Sequence, residues 1–405
     1  MTAPRPLEGI RVADFTWVWA GPFCTLQLAH LGAEVIRVES AARPCVTRML
    51  PPWPDGQPGL NRSGYFNQYN QGKLSLTLDL KQPEAVGIAK ELVARSDIVC
   101  ENFAAGVMDR MGLGYAVLRE IKPDIIMIAL SGYGNSGPER EFVSYGPAQV
   151  PLSGMSSLTG YPNWPPMHAG ISYGDPTGGL HGAFAVLAAL WYRHRTGRGQ
   201  FIDLSQQETT IAVLPEGVVE FTMNGTQPPR DGNRDHGMAP HGIFRCAGEQ
   251  RWVAISVRDD DEWQRLARAI GRPELADDPS LRTLAARKAN EDQLEAIVTE
   301  WTAARSAEAA TDSLQRAGIP AFTACNSKDL AEDPQLNASG LFVSLDHPEV
   351  GSRQHVGIPW RMSDTPCAVS QPAPCLGQHT DRVLSDVLGY STEKISRLKS
   401  DKVVY

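Results

Sequence analysis

The stretch YGDPTGGLHG, residues 173–182, sets one carboxylate, Asp175, beside a proline and four glycines, directly ahead of the apolar run AFAVLAALW. Two roles are open to that carboxylate. Asp is a favoured helix N-cap, Pro176 suits the first helical position, and a helix N-terminus favours a neighbouring negative charge. A carboxylate is also a competent nucleophile toward an acyl group when backbone N–H groups stabilise the adduct. The glycines sharpen the question, because each costs about 1 kcal/mol in a helix relative to Ala. Gly178 and Gly182, four apart, share a face that another backbone or a bulky ligand can approach closely. Tight helix packing beneath the apolar run explains them equally well.

Other chemistries find less support. GLGYAV near Gly112 does not match G-x-G-x-x-G, and the turn TWVWAGP carries only Gly21, so no nicotinamide or flavin dinucleotide site is expected. No phosphate loop with G-K-[ST] occurs. LSGYGNSG lacks the spacing of a nucleophile elbow, and Ser131 and Ser136 read as turn residues. The nine histidines form no H-x-x-x-H or H-E-x-x-H pair and the seven cysteines no C-x-x-C, so neither a metal site nor a disulfide framework is expected.

The elements that must position Asp175 alternate. IRVADF, EVIRVES, LSLTLDL, DIVCENF and PDIIMIALSGYG read as strands separated by single helices, among them GPFCTLQLAHLG and residues 83–96. This pattern predicts an α/β fold with a doubly wound, parallel, Rossmann-like sheet whose ligands sit at the carboxyl ends of its strands. Residues 151–166 read as a loop or lid, 174–195 as a long helix, QFIDLSQQE as a further strand, and 216–242 as a polar connection. A hairpin turning near Gly248, helices over 260–318, β-like segments over 319–360 and a final helix within 372–391 complete the chain. The expected organisation is a large lobe over 1–220, a small α+β lobe over 226–335 and a return segment over 336–405. A net charge of -8 argues against nucleic acid or an anionic membrane as partner, and no apolar run approaches a membrane span. The N-terminus lacks the apolar core of a signal peptide, so a cytoplasmic protein is expected.

Six segments in order resemble the class III CoA-transferases: LEGIRVADFTWVWAGPFCTLQLAHLGAEVIRVE, NQGKLSLTLDLK, VCENFAAGVMDRMGLGY, IIMIALSGYGNSGP, GDPTGGLHGAFAVLAALWYRHRTGRGQFIDLSQQE and LGQHTDRVL. The resemblance covers almost the whole chain. It implies two interlocked chains in a homodimer, with heteromers known in the family, and Asp175 as a nucleophile that forms aspartyl anhydride and aspartyl-CoA thioester intermediates. The substrates would be an acyl-CoA and a free carboxylic acid, with coenzyme A as substrate and no tightly bound cofactor or metal. CoA contacts would fall on Val18, Trp19, Lys73, Asn102, Phe103, Arg110, Gly132, Tyr133 and Gly134, with Lys73 and Arg110 meeting the phosphates.

The chain departs from formyl-CoA transferases at Trp19, Ser40, Ser131 and residues 232–237, where those enzymes carry glutamine, arginine, lysine and a glycine run. Formate and oxalate are therefore not the expected substrates. Arg43 is a candidate replacement for the cation absent at Ser40. Trp17, Trp19, Tyr161, Trp164 and Met167 suggest an apolar mouth suited to a larger or aromatic acid, or else ordinary burial. Acyl-CoA racemases share the superfamily, but their histidine base corresponds to Tyr145 here, a poor base at neutral pH. A non-catalytic CoA-binding subunit is the other alternative, and it would lack the aspartate that this chain keeps.

Overall fold

In the first layer, short β-rich runs fall into register as a six-stranded sheet. The computed structural model describes residues 4–405. The strands are β1 (Arg11–Asp14), β2 (Glu34–Glu39), β3 (Leu74–Thr77), β4 (Ile98–Glu101), β5 (Ile126–Ser131) and β6 (Phe201–Ser205). Their order is β3-β2-β1-β4-β5-β6, every pairing is parallel, and the order reverses between β1 and β4. Crevices at such reversals, outside the carboxyl ends of the strands, are where doubly wound sheets bind ligands.

The connecting helices are α1 (Ala20–His30), α2 (Gly64–Tyr69), α3 (Pro83–Ala94), α4 (Val107–Arg110) and α5 (Tyr115–Ile121). Between β5 and β6 lie α6 (Gly146–Leu152), α7 (Met155–Leu158) and α8 (Gly174–Thr196). One face of the sheet buries Val12, Val35, Ile128 and Leu130 beneath Leu28 of α1 and Val186 of α8. The other buries Ile36, Leu76 and Val99 against α3 and against Leu384, Leu398 and Val404, so the C-terminal segment returns to the sheet.

Contacts divide the chain into two units. Among the described residues the first comprises 4–156, 168–227 and 336–405, and the second 157–167 and 228–335. The second unit is built on an antiparallel sheet of β7 (His241–Arg245), β8 (Trp252–Ser256) and β9 (Ala321–Thr323), packed by helices over a core centred on Trp263.

Three segments differ from the expectation. Of residues 151–166, expected as a loop or lid, 151–152 end the helix α6 and 155–158 form the short helix α7, while 159–166 hold no helix or strand. The segment expected to be a polar connection begins with the helix α10 (Pro215–Asn224), which follows α9 (Gln206–Ile211) and is stopped by Gly225 in the left-handed conformation. The final helix is split into a single turn at Thr380–Arg382, a π-helical stretch at Val383–Val387 and a separate helix at Thr392–Ser400. Gly389, at φ 75°, ends the first part.

Candidate active site

The turn from β1 into α1 is fixed by buried polar groups. Asp14 Oδ1 accepts from the Thr16 N–H (2.9 Å) and hydroxyl, and Oδ2 accepts from Thr25 (2.7 Å). Lys73 Nζ lies 3.3 Å from Asp14 Oδ2 and also donates to Pro22 O (2.9 Å), Thr25 Oγ1 (2.8 Å) and Asn70 Oδ1 (3.0 Å). Its side chain is wholly buried, and that burial, countered in part by Asp14, lowers its pKa to about 8. Lys73 is therefore a correction to the sequence expectation: its ammonium is spent on the protein interior rather than turned out toward a phosphate.

Asn102, at the end of β4, clamps the Trp17 peptide from both sides, accepting its N–H at 2.6 Å and donating to its carbonyl at 2.8 Å. The next residue, Val18, has φ 61°, a conformation that a β-branched side chain rarely adopts. Such strain, of order 1–3 kcal/mol, persists where surrounding contacts impose it. Gly21 is required beside this clamp, since a Cβ there would fall 2.5 Å from the Thr16 side chain. Phe103 packs near Trp17, with ring centroids 6.4 Å apart, and the Arg43 guanidinium lies 5.3 Å from the Trp17 ring centroid.

Helix α8 crosses α1 at close range, and its glycines make this possible. A Cβ on Gly179 would lie 2.8 Å from the Ala20 carbonyl oxygen, and one on Gly182 would lie 2.7 Å from Leu130 Cδ2. One on Gly178 would meet Gln206 Cγ at 3.0 Å. These glycine positions face the protein's own backbone and side chains, so close packing accounts for them. That packing brings Asp175 to the start of α1.

Asp175 is not the N-cap that the sequence suggested. The helix begins at Gly174 with Tyr173 in the cap position, so Asp175 and Pro176 fall within the first turn. Pro176 is still tolerated, because the first four N–H groups of a helix have no intrahelical acceptor. Only 6% of Asp175 is exposed. Burial raises its pKa to about 7, with the nearby Ala20 backbone N–H pulling the other way. On its other side stands Gly146, where a Cβ would come 1.6 Å from Asp175 Oδ2. No other residue fits at position 146 without displacing the carboxylate.

Aromatic rings stand beside it. Trp19, 7% exposed, lies 5.9 Å from Tyr65 and 5.1 Å from Tyr69, and Phe23 lies 5.7 Å from Tyr69. Tyr65 and Tyr69 share one face of α2, four residues apart. Ser63 caps that helix by accepting the Phe66 N–H, and Phe66 is held 3.6 Å beneath the Arg48 guanidinium, which pairs with Glu39. Burial first and the Asp175 charge second push the Tyr69 hydroxyl up to about 12 and raise Tyr65 as well. Both phenols stay protonated at neutral pH.

Gly132, Tyr133 and Gly134 form the loop that leaves β5, with Tyr133 against Phe142 at 5.9 Å. Arg110 is exposed on α4 and lines a cavity of about 390 Å³ together with Glu101, Gly106, Tyr115 and Arg140. Burial, reinforced by Asp109 and Asp203, raises Glu101 to about 8. Tyr145 is 64% exposed, and His168 is exposed with Nδ1 accepting from the Gly170 N–H. Tyr161 and Trp164 belong to the second unit, where Tyr161 accepts from Asn233 and the Trp164 carbonyl from Arg230. Among the described residues no group of three or more His, Cys, Asp or Glu side chains could hold a metal ion, and no helix is long and apolar enough to cross a membrane.

Sequence reasoning missed Gly146, Tyr65 and Tyr69. The tyrosines carried a signal, the i,i+4 spacing in GYFNQYN after a capping serine. Gly146 carried none, because its contact with Asp175 is made across about thirty residues of chain.

Comparison with known proteins agrees with the fold. The chain matches the model of CoA-transferase family III over residues 7–380. It is 33% identical over 401 residues to the succinyl-CoA–D-citramalate CoA-transferase of Chloroflexus aurantiacus, covering 99% of this chain and 98% of that one. It is 34% identical over 415 residues to a formyl-CoA:oxalate CoA-transferase of Streptomyces avermitilis, covering 99% and 100%. Among solved structures, a CAIB/BAIF family protein from Brucella suis superposes with a TM-score of 0.87 at 30% identity, over 95% of this chain and all of that one. Rv3272 of Mycobacterium tuberculosis gives 0.80 at 26% identity, over 94% and 99%. Fold and relatives together define an α/β enzyme of the CoA-transferring class. The chain belongs to CoA-transferase family III.

Proposed function

We propose that the enzyme moves CoA from an acyl-CoA donor to a free carboxylic acid, with Asp175 as the nucleophile. The observation that carries this reading is the Asp175 carboxylate, buried in the first turn of α8 beside the start of α1. Ionised Asp175 attacks the thioester carbonyl carbon, a C–O bond forms, the C–S bond breaks, and CoA thiolate leaves a mixed anhydride. The thiolate then attacks the aspartyl carbonyl, which releases the donor acid and leaves an aspartyl-CoA thioester. The acceptor carboxylate reverses both steps and departs as its CoA ester. Each covalent step retains an activated acyl group, and burial limits the water that would hydrolyse the anhydride.

CoA would lie along the strand ends at the β1/β4 reversal. The strained Val18–Trp19 turn, the Asn102 clamp, Phe103 and the Gly132–Tyr133–Gly134 loop would border its pantetheine arm. Arg110, beside its 390 Å³ cavity, and the exposed Arg43 over Trp17 are the cations free to meet phosphates, while Lys73 holds the turn from beneath. An interlocked homodimer fits the large apolar side chains left exposed on α8 and α10, among them Phe184, Trp191, Phe221 and Met223. One relative, 33% identical, is named as the beta subunit of succinyl-CoA–L-malate CoA-transferase, so pairing with a different chain is the alternative assembly. A cytoplasmic enzyme using CoA thioesters completes the reading.

Racemase chemistry needs acid–base groups on two faces of the substrate. Tyr145, the position of the racemase base, is mostly exposed and offers no such partner. The decisive variant is Asp175→Ala. It should lose transfer with every acyl-CoA and acid pair on which the wild type acts, and keep CoA affinity and the folded state. Full residual transfer would refute the nucleophile.

A further inference from the structure

The aromatic rings beside Asp175 form a wall, and that wall is open. Tyr65 and Tyr69 stand one turn apart on α2 with ring centroids 5.3 Å apart, and both pack on Trp19 at the start of α1. Tyr69 also meets Phe23 edge-on at 5.7 Å. Phe23 borders α8 one turn beyond Asp175, since a Cβ on Gly179 would fall 3.0 Å from its Cδ1. The Asp175 charge reaches both phenols. Tyr65, Tyr69 and Phe23 are each partly exposed. Among the described residues neither phenol has a hydrogen-bond partner, and neither oxygen is sealed from solvent. The rings therefore line space that a substrate can enter, next to the nucleophile.

The elements around that space bring no cation to it. Residues 15–19, α1, α2, α6 and α8 as far as Tyr192 hold no lysine or arginine. Arg37 and Arg48, whose guanidinium groups lie over Phe66 of α2, are buried against Glu39, and Lys73 is buried against Asp14. The charge environment of Asp175 is set by burial and the Ala20 N–H, with no contribution from a lysine or arginine. A second carboxylate on the acyl group would thus enter beside ionised Asp175 without a counter-ion, and like charges repel strongly where water is scarce. An aryl ring gains from the same surroundings, because it packs edge or face against the three rings. The reacting carboxylate of the acceptor escapes the repulsion, since Asp175 is by then the uncharged CoA thioester.

We propose that the acyl groups passing through this site are those of monocarboxylic acids with an aryl body, seated on the wall of Trp19, Tyr65 and Tyr69. This rests on the Asp175 reading and adds the substrate class to it. It sets the chain apart from the two relatives above that are named for citramalate and oxalate, acids with two carboxylates.

The donor half-reaction of the full-length enzyme tests it. The enzyme is mixed with 3-phenylpropanoyl-CoA, succinyl-CoA or acetyl-CoA, and the rate of CoA loading onto the peptide containing Asp175 is followed by mass. At equal concentration the aryl donor should load at least about 10-fold faster than succinyl-CoA. Tyr69→Lys removes one ring and supplies the missing cation, so the ratio of aryl to succinyl loading should fall about 10-fold or more. General damage to the fold would slow both donors and leave the ratio where it was. An aryl rate no higher than the succinyl rate in the wild type, or an unchanged ratio in an active Tyr69→Lys enzyme, overturns the proposal, as does loading by none of the three. Should the variant fail to fold, the wild-type comparison alone decides. Loading of Asp175 by succinyl-CoA and not by the aryl donor removes the substrate class alone. Transfer of CoA from any of the three with no adduct on Asp175 removes the nucleophile as well.

Discussion

Asp175 is held at a cost, and the cost has a definite pH dependence. Its folded pKa, about 7, lies above the ordinary carboxylate value of 3.8 because burial disfavours the ionised form. A carboxyl group raised in this way binds its proton more tightly in the folded state than in the unfolded one. It carries no penalty below about pH 4, and the penalty grows as pH rises toward 7, reaching roughly 4 kcal/mol. Asp175→Asn should therefore match the wild type in denaturant stability near pH 4 and exceed it increasingly up to pH 8. A difference that is flat across that range would show that the carboxylate is not destabilised by its site. The proposed mechanism has the opposite preference, since it requires the ionised carboxylate, and it predicts that the acid limb of the rate profile falls near pH 7.

At the scale of elements, the α1–α8 crossing positions the site, and its tolerance can be read residue by residue. An Ala at 179 would force its Cβ to 2.8 Å from a backbone carbonyl that cannot yield by side-chain rotation. Gly179→Ala should lose about 1–3 kcal/mol of stability and, by displacing Asp175 from the Ala20 N–H, cost about 100-fold in kcat. Gly87→Ala is the control. Position 87 lies inside α3 with nothing within 4 Å of a new Cβ, so stability should rise by up to about 1 kcal/mol and kcat should not change. Equal effects at both sites would deny the crossing its role.

At the scale of the whole molecule, apolar side chains left exposed on α8 and α10 should be covered in solution. Phe184 is 73% exposed and Met223 76%, and a stable soluble monomer rarely exposes large apolar patches. Light scattering should give a mass of about twice the chain, with Phe184→Asp shifting it toward the monomer. A wild-type monomer would contradict the interlocked assembly.

The sheet was legible because strictly alternating strands and helices admit few topologies. Strands β1 to β6 fall where apolar runs and Gly or Pro boundaries put them. The helix α10 and the split C-terminal helices were hidden, since Val218, Phe221 and Met223 present no buried stripe within this chain and Gly389 interrupts a continuous apolar pattern. At the site, motif order singled out Asp175, Asn102 and the 132–134 loop, but side-chain direction was invisible. Lys73 points inward to Asp14, and the groups that touch or face Asp175, namely Gly146, the Ala20 N–H and Tyr65, are brought in by tertiary contact alone.

The most direct test is the intact mass of the enzyme after incubation with a panel of acyl-CoA donors, followed by peptide mapping and hydroxylamine or borohydride trapping. With a competent donor, an adduct of CoA mass should appear on the peptide containing Asp175, and trapping should convert that residue to its hydroxamate or reduced alcohol. Turnover between an acyl-CoA and an acid with no modification at Asp175, or with the adduct on another residue, would contradict the account.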